Sequence, residues 1–96
     1  MSEVVWERKY YKNGQLYHED PYVNGFNHGI EKYYYDDGQL ELEIPLVNNK
    51  RHGITKWYYK NGVLREVDLW IKGRVRNDLL GDEHRLTRLV LLGEQG

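Results

Sequence analysis

One string of seven residues occurs three times at a fixed interval. Tyr10-Tyr11-Lys12-Asn13-Gly14-Gln15-Leu16 returns as Tyr34-Tyr35-Asp36-Asp37-Gly38-Gln39-Leu40 and as Tyr58-Tyr59-Lys60-Asn61-Gly62-Val63-Leu64, 24 residues apart each time. A second string, Asn24-Gly25-Phe26-Asn27-His28-Gly29, returns as Asn48-Asn49-Lys50-Arg51-His52-Gly53, with a decayed third copy at Lys72-Gly73-Arg74-Val75-Arg76-Asn77. Such a chain builds one small unit three times and stacks the copies, because a unit this short cannot bury a core alone. The units are 6–29, 30–53 and 54–77. The first two share 12 of 24 positions, while the third shares 8 with the first and 6 with the second, the divergence expected of a terminal unit.

Each unit reads as a β-hairpin. Asn13-Gly14, Asp37-Gly38 and Asn61-Gly62 predict two-residue type I′ turns, which need positive φ at both central positions. The flanking Tyr, Val, Ile and Trp suit pleated strands. Strands are expected near 4–12, 15–23, 30–36, 39–47, 54–60 and 63–71, joined on the other side by longer Gly-rich loops at 24–29 and 48–53. The fold class is therefore mainly β, an antiparallel meander of about six strands. Pro21 and Pro45 fall in one column and predict a bulge or break there. With I′ turns, Tyr11 would face Leu16, Tyr10 face Tyr17, Tyr35 face Leu40, Tyr34 face Glu41, Tyr59 face Leu64 and Tyr58 face Arg65. Farther from the turns, Arg8 would face Glu19 and Lys32 face Glu43, as cross-strand ion pairs worth ~0.2–1 kcal/mol each.

Period-2 alternation separates two faces. Tyr11, Leu16, Tyr33, Tyr35, Leu40, Leu42, Trp57, Tyr59 and Leu64 form a packing face. Arg8, Tyr10, Tyr17, Glu19, Lys32, Tyr34, Glu41, Glu43, Lys56, Tyr58 and Arg65 form a wet face. Residues 1–77 are thus the repeat body. Residues 78–96 leave the pattern: Asp82 can cap a helix that carries Leu86, Leu89 and Val90 on one side and ends at Gly93. That short helix either caps the sheet or mediates a dimer; the open sheet edge offers a second route to a homodimer.

Composition removes whole classes of function. At 96 residues there is room for one small domain. The chain has no Ala, which speaks against a helical bundle, and no Cys, which removes disulfides, thiolate metal sites and thiol nucleophiles. Ser2, Thr55 and Thr87 are the only hydroxyl nucleophiles apart from Tyr, leaving most hydrolase schemes without a starting group. A net charge of −1 is no nucleic-acid footprint and gives no general pull toward anionic lipid. The charged opening Met1-Ser2-Glu3-Val4-Val5-Trp6-Glu7-Arg8 does not read as a signal peptide, and the expected location is the cytoplasm.

The columns Tyr-x-x-Gly-x-Leu and His-Gly, at Tyr11–Leu16, Tyr35–Leu40, Tyr59–Leu64 and His28-Gly29, His52-Gly53, resemble the bacterial variant of the MORN repeat, which includes the YwqK-like family described as antitoxins. The resemblance covers residue 6 to about 75. It implies a β-meander that binds other proteins, here a toxin-like partner. Some relatives are linked to membranes, which the charge of this chain does not favour.

The candidate contact residues are Tyr10, Tyr17, Tyr34 and Tyr58, with Arg8, Glu19, Lys32 and Arg65 for specificity. Tyr combines an apolar body, a polar tip and few rotors, as interface hot spots require. A basic rim of Lys50, Arg51, Arg74 and Arg76 on the long-loop side offers an alternative, a scaffold that reads anionic lipid head groups. His28 and His52 read as turn residues: no third ligand recurs with them, so no metal and no cofactor are expected. Asp36-Asp37 is a turn, and Glu41 and Glu43 form no acid–base pair in a pocket. No catalytic constellation appears, and an enzyme is not expected.

Overall fold

A computed structural model of the chain describes residues 3–80. It is an open antiparallel sheet of three repeats, each made of two long strands and one short strand. The first repeat holds β1 (Val4–Tyr10), β2 (Leu16–Val23) and β3 (Phe26–Asn27). The second holds β4 (Gly29–Tyr34), β5 (Leu40–Val47) and β6 (Lys50–Arg51), and the third holds β7 (Gly53–Tyr58), β8 (Leu64–Ile71) and β9 (Arg74–Val75). The long strands lie in the order β1-β2-β4-β5-β7-β8; β3, β6 and β9 fold back on β2, β5 and β8. A single 3₁₀ turn at Asn77–Leu80 packs on β8, tied by the Asn77 side chain to the Leu69 amide at 2.8 Å and to Asp68 at 2.6 Å. The helix expected around Asp82, Leu86, Leu89, Val90 and Gly93 lies outside the described residues.

The meander is as expected, but nine strands replace six. The supposed long loops each contain a second tight hairpin, reversing at Asn24-Gly25, Asn48-Asn49 and Lys72-Gly73, where positive φ concentrates.

The main turns are not type I′. Gly14 N donates to Tyr11 O at 3.0 Å, Tyr11 N donates to Gln15 O at 2.9 Å, and Gly14 has positive φ while Asn13 does not. This is a three-residue loop, a type I turn followed by a glycine bulge. Gly38 and Gly62 repeat it. Asn13, Asp37 and Asn61 serve by side chain instead, each Oδ1 accepting the amide two residues on at 2.9–3.0 Å.

The extra turn residue shifts the register by one, so Tyr10, Tyr34 and Tyr58 stand opposite Leu16, Leu40 and Leu64. A bulge follows at Tyr17, Glu41 and Arg65, after which Arg8 faces Glu19 and Lys32 faces Glu43 as expected, and Lys56 faces Val67.

Neither proline breaks its strand. Pro21 pairs with Trp6 and Pro45 with Ile30, inside continuous β2 and β5. The interruption falls on the neighbouring strand, between β3 and β4 at His28 and between β6 and β7 at His52. Across each gap the His amide donates to the proline carbonyl, at 3.2 and 3.0 Å. The proline nitrogen cannot return the bond, so each His–Pro pair makes one of its two ladder bonds and the pairing lapses at the histidine. The paired glycine is required by space as well as by conformation. Gly29 and Gly53 have φ of +124° and +122°, and a Cβ on Gly53 would stand 3.0 Å from Pro45 Cγ.

Burial is thin and confined. Ile44, Leu46, Val67 and Leu80 form the apolar core, with Thr55, His18 and Asp20 also buried. All seven residues of β1 are exposed.

Gly53→Ala combines a left-handed backbone with a collision against Pro45, whereas Gly14→Ala, at φ +89°, meets nothing within 4 Å. We expect Gly14→Ala to cost ~1 kcal/mol in urea unfolding and Gly53→Ala about 2 kcal/mol or more. Equal costs would show that the Gly–Pro contact does not matter.

Candidate functional site

Three features stand out on the sheet: a tyrosine and charge row, a basic cleft, and a buried polar cluster.

The first row lies on the wet face. Glu19 is its hub: Arg8 Nε donates to Oε2 at 3.1 Å and Tyr34 Oη donates to Oε1 at 3.0 Å. One repeat on, Tyr58 Oη donates to Glu43 Oε1 at 3.1 Å. The Arg8–Glu19 ion pair thus forms as expected. The Lys32–Glu43 pair does not, although the two stand opposite; Glu43 takes the Tyr58 hydroxyl instead. Tyr34 and Tyr58 are half-buried, and Tyr10 is 60% exposed at the sheet edge. Burial, then the hydrogen bond to Glu19 and the charges of Glu19 and Glu43, push the Tyr34 hydroxyl up to about 12. Burial, the Glu43 charge and its hydrogen bond raise Tyr58 in the same way.

Two predicted contact residues change face. The bulge turns Tyr17 toward the packing side, where its ring meets Tyr11 at 5.1 Å and Tyr33 at 5.9 Å. Arg65, in the same bulge column, lies over the Tyr59 ring at 5.9 Å. Simple alternation put both on the wet face because it did not count the extra residue.

Sequence reading missed an apolar row beside the tyrosines. Trp6, Ile30 and Ile54 are spaced by one repeat and lie two residues before Arg8, Lys32 and Lys56 on the same strands, so they share the wet face. They are 42%, 45% and 37% exposed. Their cross-strand partners are Pro21, Pro45 and Leu69, which makes the row continuous. The first column of each 24-residue unit carries this signal, Trp-Ile-Ile, in plain sight.

Three of the four basic-rim residues come together. Lys50, Arg51, Lys72 and Arg74 line a shallow cleft of about 470 Å³ with Trp70, whose ring carries the Arg51 guanidinium at 4.9 Å. Lys72 was not anticipated. Arg76 is not in the lining; both its Nε and Nη2 bind Asp78 at 3.1 Å. His52 Nδ1 accepts the Lys72 amide at 3.1 Å, the turn role expected of it.

The third feature was also missed. His18, Asp20 and Glu31 meet on the packing face between β2 and β4, with His18 Nε2 2.6 Å from Glu31 Oε2 and 3.4 Å from Asp20 Oδ2. The Tyr33 ring stacks on His18 at 4.2 Å, and its hydroxyl donates to Glu31 at 3.3 Å. Burial first, then hydrogen bonding with Glu31 and the Glu31 charge, push Asp20 up to about 6 against the opposing pull of His18. Burial and Glu31 likewise push Tyr33 up to about 12. Comparing columns would have exposed this cluster, because the second repeat has Leu42 and Ile44 where the first has His18 and Asp20.

Two outcomes follow. Tyr34→Phe removes a half-buried donor but leaves Glu19 its Arg8 partner, so the expected loss is ~1 kcal/mol by urea unfolding. The folded chain holds Tyr33 and Tyr34 neutral above the ordinary value of 10, toward 12. Their contribution to stability is therefore complete below pH 10 and lost as pH rises through 12. Absorbance at 295 nm should show tyrosines that stay un-ionised well above pH 10 until the chain unfolds, one fewer in Tyr34→Phe. Ionisation of all nine together near pH 10 would contradict this assignment.

Comparison with known proteins agrees with this geometry. The family model of the MORN repeat variant matches residues 7–24, 27–48 and 51–71. No curated protein and no solved structure matches the chain. The matched segments span most of the described sheet, and each contains one of the three glycine turns described above. The chain therefore belongs to the MORN repeat variant family.

Proposed function

We propose that this chain is a cytoplasmic, non-catalytic module of the antitoxin or immunity type, which masks a partner protein by docking the wet face of its sheet. MORN repeats are generally non-catalytic modules that bind proteins or membranes. The observation that carries the finer reading is the exposed row Trp6, Ile30 and Ile54 beside a row of charges and tyrosines. An apolar centre with a polar margin is the anatomy of a protein interface. The hydroxyls of Tyr34 and Tyr58 are already fixed to Glu19 and Glu43, so these rings lose little freedom on binding. Tyr10 and Arg8 extend the surface to the sheet edge, and Lys32 and Lys56 supply charges for partner selection. The new face of Tyr17 and Arg65 removes them from this patch.

The test uses the product of the reading frame that neighbours this one, if toxin-like, as the partner. Trp6 is 42% exposed, so Trp6→Ala is expected to keep the fold, which circular dichroism checks. As an anchor worth about 2 kcal/mol, its loss should weaken binding roughly 30-fold and abolish growth rescue on co-expression. Undiminished affinity of the folded variant would remove this face from consideration.

The cleft of Lys50, Arg51, Lys72 and Arg74 supports a second reading, a scaffold held at anionic lipid head groups. No described helix is long and apolar enough to cross a membrane, so such attachment would be peripheral. Flotation with anionic liposomes at low salt, lost at high salt and in Lys72→Glu, is the expected behaviour; absence of binding at low salt ends this reading.

A further inference from the structure

We propose that His18, Asp20 and Glu31 form a binding site for one divalent transition-metal ion, with Zn²⁺ the best-suited cation. The three donor atoms lie within 4.8 Å of one another, on two adjacent strands of the same face. The closest pairs stand at 2.6 and 3.4 Å. Donors in a tetrahedral zinc shell with bonds of about 2.0–2.2 Å lie about 3.3–3.6 Å apart, so small side-chain adjustments close the site. One imidazole and two carboxylates suit zinc, with a fourth position left for water.

Two observations say that the protein's own groups leave this cluster incomplete. Asp20 is only 8% exposed, and its Oδ1 is buried without a hydrogen-bond partner. A buried carboxylate oxygen without a donor is costly, and nearly all such atoms find one. Charge is also unbalanced. One imidazole supplies at most a single positive charge against two carboxylates. Glu7 stands opposite Asp20 on the same face and deepens the excess, while among the described residues the cation in register nearby is Lys9, opposite His18 on exposed β1. A divalent cation held through both oxygens of Asp20 would satisfy the orphan Oδ1 as well as the charge.

Repeat architecture does not require this polarity. At the next junction the same three columns hold Leu42, Ile44 and Thr55, and the sheet there packs as core. The family pattern uses Tyr, Gly and Leu columns, none of which are these. The cluster is specific to one junction of this chain. Tyr33, stacked on His18 and donating to Glu31, would orient two of the three ligands.

The experiment is titration of the full chain, freed of metal by chelation, with Zn²⁺ by calorimetry and with Co²⁺ by visible absorption. We expect one equivalent bound, a rise in thermal midpoint, and a Co²⁺ d–d band typical of low coordination number. The near-isosteric variants Asp20→Asn and Glu31→Gln should fold, by near-ultraviolet circular dichroism, and bind at least tenfold more weakly. His28→Ala/His52→Ala should bind as the parent does. The proposal is overturned if the folded chain shows no saturable binding of Zn²⁺ or Co²⁺ up to millimolar concentration. It is equally overturned if binding survives Glu31→Gln and Asp20→Asn unchanged, or is lost with the loop histidines instead.

Discussion

The repeats are held together by tyrosine hydroxyls that donate to backbone carbonyls one unit away. Tyr11 Oη donates to Tyr34 O at 2.6 Å, and Tyr35 Oη donates to Tyr58 O at 2.7 Å. Asn13 adds a donor to Asp36 O at 3.1 Å, and Lys60 pairs with Asp36 at 3.0 Å. The two long strands that meet between repeats pair directly over only two residues each, at His18–Glu19 and at Leu42–Glu43. With so short a ladder, the side-chain bonds at the turns and the amide bonds across His28 and His52 carry much of the alignment. A sheet with this thin a core depends on such fixed distances more than on apolar burial.

The turn chemistry sets which side chains reach which face. A three-residue loop would throw the whole hairpin out of step, moving every outward residue inward. The compensating bulge at Tyr17, Glu41 and Arg65 restores the register within one residue. Its by-product is a local reversal of side-chain direction, which sends Tyr17 to the aromatic cluster around Tyr11 and Tyr33. The wet face then keeps a uniform grammar, with apolar Trp6, Ile30 and Ile54 next to charged Arg8, Lys32 and Lys56, then Tyr10, Tyr34 and Tyr58.

Function in such a sheet belongs to departures from the repeat as much as to the repeat itself. The exposed apolar row Trp6, Ile30 and Ile54 is repeated and gives breadth. The His18–Asp20–Glu31 cluster and the cleft around Trp70 each occur once and give individuality. Both single features sit in columns that vary from unit to unit, His18/Leu42/Glu66 and Tyr22/Leu46/Trp70, and a hairpin scaffold tolerates that because each unit touches only the next.

The sequence alone determined the strand–turn–strand unit, its period, the count of repeats and the register away from the turns, since these follow from local rules: glycine at positive φ and side chains alternating across a strand. The pairing of Arg8 with Glu19 was legible for the same reason. Turn type, the bulge, the folded-back strands β3, β6 and β9, and the meeting of His18 with Glu31 were decided only by tertiary structure. Each of these depends on hydrogen bonds between residues far apart in the chain, or on one inserted residue whose effect is visible only once two strands are laid side by side. The row of Trp6, Ile30 and Ile54 stands between the two cases: its period is written in the sequence, but its exposure is set by what the folded sheet leaves uncovered.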